Sequence, residues 1–92
     1  MEIRKVETDQ KRYLDLLLLA NEQEDMVDRY LERGTMYVLE DGGVKAECVV
    51  TDEGNGVLEL KNIAVAPAEQ GRGYGKAMVD FSGGLRAGGT QR

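Results

Sequence analysis

The chain of 92 residues contains no histidine and no tryptophan, and only one cysteine, one proline and one phenylalanine. Lacking histidine, it has neither the commonest general base nor the commonest metal ligand, and it cannot activate a nucleophile through a Ser-His or Cys-His pair. A single cysteine, Cys48, excludes an internal disulfide and a cysteine metal cluster, so no metal site is expected. Within the apolar run Cys48-Val49-Val50 it is expected to pack as a small hydrophobe. Long apolar runs are also missing. The longest, from Leu16 to Ala20, is far short of the ~20 residues that span a bilayer. Residues 1–5 lack the apolar core of a signal peptide. No membrane partner is therefore expected, and the cytoplasm is the natural compartment. Positive charge is in deficit: 12 Lys and Arg stand against 17 Asp and Glu, a net charge of −5. That balance argues against nucleic-acid binding, which relies on cations neutralising phosphates. It is compatible with a cationic substrate such as an amine.

What is present fits one small domain. A chain of this length buries about 60–65% of its unfolded surface, so its core is marginal. Residues 2–6 read as a short strand. Thr8 or Asp9 is placed to cap a helix from Gln10, with Tyr13, Leu14, Leu17 and Leu18 as its apolar stripe, widened by Leu16 and Leu19. A second helix after Asn21 carries Met26, Val27, Tyr30 and Leu31 on its expected buried side, with Gly34 ending it in the left-handed conformation. Strands follow over 35–40, 44–51 and 57–66. They are joined by Asp41-Gly42-Gly43 and by a turn over 52–56, and the last is stopped by Pro67. A final helix starts near Gly73 and holds Ala77, Met78, Val79 and Phe81. The order is β-α-α-β-β-β-α, an α+β sandwich with a mainly antiparallel sheet. The domain is expected over 1–82, and the glycine-rich stretch 83–92 is expected to be a disordered tail.

The densest signal is Gln70-Gly71-Arg72-Gly73-Tyr74-Gly75-Lys76, between a strand and a helix start. Backbone N–H groups at a helix N-terminus have no intrahelical partner and carry partial positive charge, which suits an anionic ligand. Glycines let a diphosphate approach the main chain closely. Arg72 and Lys76 add cationic charge at the rim. The loop is not a P-loop: Gly71 to Gly75 is one residue too short, and Ala77 stands where the metal-binding hydroxyl belongs. Nor is it a dinucleotide fingerprint, because Lys76 stands where the third glycine belongs.

The pattern that fits is Q-x-x-G-x-G after a strand ending in Val65-Ala66-Pro67. Residues 60–75, LKNIAVAPAEQGRGYG, resemble the fourth strand and coenzyme A pyrophosphate loop of the GNAT acetyltransferase superfamily. The resemblance covers approximately residues 2–81. It implies acetyl-CoA as co-substrate, with pantetheine contacts on the backbone near Ile63, Ala64 and Val65. It places pyrophosphate contacts on Gln70, Gly71, Arg72, Gly73, Tyr74, Gly75 and Lys76. It implies acetyl transfer to a primary amine, with the acceptor site built largely from the first two helices. There the acidic segment Glu22-Gln23-Glu24-Asp25 with Asp28 is placed to attract an amine cation. Full members continue through a fifth strand, a fourth helix and usually two more strands. Residues 82–92 resemble none of these, so the C-terminal strands and helix of the family are missing from this chain. The alternative expectation is therefore a truncated, non-catalytic acyl-CoA-binding or vestigial module of the same fold. With the neighbouring strand absent, residues 57–66 form an apolar edge, from which a homodimer is expected.

A general base helps an ammonium lose its proton. Without histidine, the first candidate is Glu59, which stands eleven residues before Gln70, resembling the spacing of the glutamate base in histone-type members. Its apolar neighbours Val57, Leu58 and Leu60 predict partial desolvation. Asn62, a weaker polar candidate, is expected on the opposite side of the pleat.

Overall fold

In the computed structural model, which describes residues 1–85, the chain is an α+β sandwich. Strand β1 (Glu2–Val6) leads through a 3-10 turn (Gln10–Tyr13) into helix α1 (Leu14–Ala20) and helix α2 (Glu24–Arg33). Strands β2 (Gly34–Glu40), β3 (Val44–Gly54) and β4 (Val57–Val65) follow. A short 3-10 turn (Pro67–Glu69) and helix α3 (Tyr74–Gly83) complete it. The four strands lie in sequence order, every pair antiparallel. Consecutive antiparallel strands need only tight turns, and the chain supplies them. At the second hairpin Asn55 and Gly56 take φ of 55° and 78°, the two positive values that match the strand twist.

The sheet is covered on both faces. On one, Leu17 of α1 and Val27, Tyr30 and Leu31 of α2 pack on Val6, Met36, Val38 and Val49. On the other, Met78 of α3 packs with Tyr37, Leu39, Ala46, Cys48, Val50 and Leu85. Cys48 is fully buried among apolar neighbours, and burial pushes its thiol up to about 12. It packs as an inert small side chain, as expected.

Several local expectations are corrected. Neither Thr8 nor Asp9 caps the first helix with its side chain; Asp9 takes a left-handed φ of 52° and the chain enters through the 3-10 turn instead. Gly34 is not a left-handed helix stop. It is extended, at φ −110° and ψ −178°, and opens β2. Glycine is needed there because a Cβ would lie 2.6 Å from the Tyr30 carbonyl oxygen and 2.9 Å from that of Val50. Met26 is exposed, so α2 buries a narrower stripe than the apolar pattern suggested. Leu19, read as part of an apolar stripe, is also exposed, as is Val79 of the last helix. Within the stretch expected to be a tail, Gly83 belongs to α3 and Leu85 is buried against the sheet. The remainder of that stretch, 86–92, lies outside the described residues.

Candidate active site

In the four-stranded sheet β4 has β3 as its strand neighbour, so its other long side carries no strand among the described residues. Helices α1 and α3 flank that edge from opposite faces. They bound a cleft of about 440 Å³ lined by Leu19, Ile63, Ala64, Val65, Gln70, Gly75 and Val79. The exposure of Leu19 and Val79 follows from this placement, since both face the cleft instead of the core. The cleft thus brings together Ile63, Ala64 and Val65 with the start of the glycine loop.

The loop has the conformation its glycines allow. Gly71 and Gly73 take φ of 83° and 85°, and Gly73 is the N-cap of α3. The side chain of Gln70 donates to the Val65 carbonyl at 3.4 Å, tying the loop to the end of β4. No backbone N–H from Gly71 to Lys76 meets an acceptor among the described residues. A Cβ on Gly75 would lie 3.5 Å from Val65 Cγ2, so α3 starts closely against β4. Tyr74 turns its hydroxyl away and donates to Asp41 Oδ2 at 2.8 Å, holding the helix start to the β2–β3 hairpin. The rim charges are partly offset: Arg72 meets Glu69 at 3.5 Å and Lys76 meets Asp80 at 2.8 Å.

A bulge reshapes β4 just before the cleft. Asn62 pairs with Val49 and Leu60 with Val50, so Lys61 is an extra residue. A bulge shifts the pleat by one position. Glu59, opposite Thr51, and Asn62, opposite Val49, therefore share the α1–α2 face, contrary to the simple alternation read from sequence. The expected desolvation of Glu59 is also absent. Its side chain is 52% exposed and pairs with Lys61, because β4 is an edge there. The acidic segment on α2 is likewise engaged, since Lys11 reaches both Glu24 and Asp28, the latter at 2.9 Å.

Asn62 is buried. Its amide donates to the Leu17 carbonyl at 2.9 Å and to Tyr30 Oη at 2.5 Å. The carbonyl partner fixes which amide atom is the nitrogen. Tyr30 also lines a second groove, of about 280 Å³, with Asn21, Met26, Arg29, Arg33 and Lys61.

Beneath these residues lies Glu47 of β3, which sequence reasoning missed. It is 0% exposed, and neither carboxylate oxygen has a hydrogen-bond partner. Burial pushes its carboxyl up to about 8. The available signal was a lone charge inside the apolar run Ala46-Glu47-Cys48-Val49-Val50. Among the described residues no group of three His, Cys, Asp or Glu side chains could hold a metal ion. No helix there is long and apolar enough to cross a membrane.

A sequence profile described as the acetyltransferase (GNAT) domain matches residues 32–91. The chain belongs to the GNAT acetyltransferase family. It is 42% identical over 74 residues to the uncharacterized N-acetyltransferase YvbK of Bacillus subtilis (strain 168), covering 79% of this chain and 47% of that protein. An IAA acetyltransferase from Bacillus cereus ATCC 14579 superposes with a TM-score of 0.81 at 33% identity, over 88% of this chain and 54% of that one. A GNAT family acetyltransferase from Elizabethkingia anophelis with acetyl-CoA bound gives 0.80 at 29% identity, over 86% and 52%. A Bacillus subtilis acetyltransferase in complex with CoA gives 0.79 at 37%, over 85% and 52%. The chain therefore spans about half the length of the relatives it matches.

Proposed function

We propose that this chain binds acetyl-CoA along β4 and transfers its acetyl group to a primary amine. The observation that carries the reading is the run of unpaired N–H groups from Gly71 to Lys76, at the N-terminus of α3 and continuous with the cleft along Ile63, Ala64 and Val65. Such a run suits a diphosphate, and the open edge of β4 offers main-chain groups to a pantetheine amide. The solved relatives bound to CoA and acetyl-CoA support the choice of ligand. Catalysis here is positioning together with removal of the amine proton, the first by the cleft and the second by a carboxylate. Glu59 is one proposal for that carboxylate: its exposure puts it within reach of solvent and substrate.

The open edge of β4 favours a second reading, a module that holds CoA without turning it over, since among the described residues no strand faces β4 across the cleft. Titration calorimetry with CoA, followed by a thiol-release assay with acetyl-CoA and a panel of primary amines, separates the two. Binding with thiol release supports transfer. Binding without release supports the module. No heat at millimolar CoA removes both. The same edge, with Val57, Leu60 and Val79 exposed beside it, is where we propose that a second copy pairs to form a homodimer.

A further inference from the structure

The groove beside Tyr30 has a charge opposite to that of the chain. The net charge of the chain is −5, yet the charged residues lining the groove are Arg29, Arg33 and Lys61, with no carboxylate among them. Helix α2 sorts its charges to produce this. Met26, Arg29, Tyr30 and Arg33 recur at helical spacing and line the groove. Asp28 and Glu32 fall on the opposite side of the helix and line a separate hollow with Asp9 and Lys11. The three cations are not equally engaged. Arg33 donates to Glu53 at 2.8 Å, and Lys61 is ion-paired with Glu59, the carboxylate proposed above as base. Arg29 has no carboxylate partner among the described residues, although Asp25 and Glu32 stand four and three residues away on the same helix, the spacing at which ion pairs form. Its guanidinium donates instead to Met26 Sδ at 3.8 Å, a weak acceptor. One positive charge in the groove is thus left unbalanced.

The groove continues the cleft. On β4, Ile63 lines the cleft and Lys61 the groove; at the end of α1, Leu19 lines the cleft and Asn21 the groove. Two separate segments therefore pass from one to the other within two residues, about 7 Å of strand. Along β4, Val65 marks the end of the cleft at the glycine loop and Ile63 the far end. A ligand with its diphosphate at the loop and its chain along β4 brings its thioester to the groove. The bulge turns Lys61 to this end of the strand, a use to which bulges are commonly put.

We propose that Arg29 selects the acceptor: the substrate is a small amine that also carries a carboxylate, and the carboxylate docks on this guanidinium while the amine faces the thioester. The inference rests on the acetyl-transfer reading and names its substrate class. A plain alkylammonium meets like charge in the groove. A zwitterion carries no net charge and is oriented by the same field, its carboxylate toward the cations and its amine away from them, toward Ile63. The fork of a guanidinium matches the two oxygens of a carboxylate. One unbalanced cation matches the single charge of a carboxylate and leaves the roughly double charge of a phosphate monoester half-met. A volume of about 280 Å³ is at the small end of ligand sites and admits a molecule of amino-acid size. Between the charged ends, Met26 and the ring of Tyr30, held by Asn62 through its hydroxyl, offer apolar surface to a short carbon chain. The exposure of Met26 follows from this, as that of Leu19 follows from the cleft. The neighbouring cations also disfavour the protonated form of the amine, which eases its activation in a chain without histidine.

The test measures thiol release from acetyl-CoA with 4-aminobutyrate, n-butylamine and 3-aminopropylphosphonate, using the full chain. In wild type, kcat/KM for 4-aminobutyrate should exceed that for n-butylamine about 10-fold or more, the scale of one charge-assisted hydrogen bond. That ratio should fall to near one in Arg29→Gln and be partly kept in Arg29→Lys. It should hold in Arg12→Gln, whose guanidinium lies over the Tyr13 ring, outside the groove. Arg29 is exposed, so its replacement leaves the core intact. A ratio near one in wild type, or a ratio unchanged in Arg29→Gln, overturns this inference and leaves acetyl transfer standing. A preference for 3-aminopropylphosphonate over 4-aminobutyrate does the same. If wild type binds CoA without turnover, calorimetry on the CoA complex decides, with 4-acetamidobutyrate and N-butylacetamide as probes. Binding of the acid alone, lost in Arg29→Gln, supports the assignment; equal binding of the two, or none, overturns it. Failure of wild type to bind CoA overturns both this inference and the function it rests on.

Discussion

Glu47 makes a stability prediction independent of catalysis. In the unfolded chain its carboxyl titrates near 4.5; in the fold, burial raises that to about 8. Between these values the folded state holds a proton that the unfolded state has lost. Stability therefore falls as pH rises across this window and is level above it. At ~1.36 kcal/mol per tenfold change in proton affinity, the rise sets an upper bound of about 5 kcal/mol. That is about a third or more of the stability of a small domain, roughly 5–15 kcal/mol. Glu47→Gln keeps the shape and removes the charge. The variant should match wild type within about 1 kcal/mol at pH 5 and exceed it by several at pH 9. Even ~2 kcal/mol moves the melting temperature of a domain this size by about 8–16 °C. The assay is thermal melting by circular dichroism at half-unit steps from pH 5 to 9.5, read as the difference between variant and wild type. That difference cancels every other titrating group. A difference curve flat across the window would refute the buried, unpartnered placement of Glu47.

Gly73→Glu should abolish CoA binding in calorimetry: it forces a side chain into a φ of 85° and puts a carboxylate where the diphosphate belongs. Gly34→Ala should destabilise the fold by about 2–4 kcal/mol in urea denaturation, because the new Cβ meets two backbone carbonyl oxygens at 2.6 and 2.9 Å. Glu59→Gln should lower kcat by about 10²–10⁴-fold in the thiol-release assay, and an unchanged rate at neutral pH would reassign Glu59 to the surface. Light scattering at micromolar concentration should give the mass of a dimer; a sharp monomer mass with a melt independent of protein concentration would remove the edge-pairing proposal.

The element order and the glycine loop were legible because each has a local signature. Leucines at helical spacing announced α1, Asn55-Gly56 and Asp41-Gly42-Gly43 announced hairpins, and Gln70 to Lys76 announced an anion-binding turn. The errors fall where the signature depends on a partner. Gly34 sits where a helix stop is expected, but its lack of a Cβ serves a close approach to Val50, a residue of another strand. Met26 lies in a helical apolar pattern, yet the face it was assigned is wider than the sheet beneath. Leu19 was read as part of an apolar stripe because an apolar residue facing a cleft looks in sequence like one facing a core.

The bulge at Lys61 has the largest consequence. Which residue is extra is decided by pairing with β3, and nothing within β4 encodes it. Without it, alternation puts Glu59 and Asn62 on opposite faces. With it, Glu59, Asn62 and Ala64 share the face of Glu47. Alternation hid Glu47 for a related reason. The interior of β3 is buried on both faces from Ala46 to Thr51, so its residues read as one apolar run with no period to mark a side. A carboxylate inside such a run conflicts with its surroundings, and conflicts of that kind concentrate at functional sites. Glu59 stands on an exposed edge, where a charge costs the fold little and a water can replace its partner. Glu47 stands one strand further in, where a charge is costly unless the site needs it. The sheet keeps that cost beside the smallest side chain of the cleft other than Gly75. The residue worth testing first is therefore Glu47 and not Glu59.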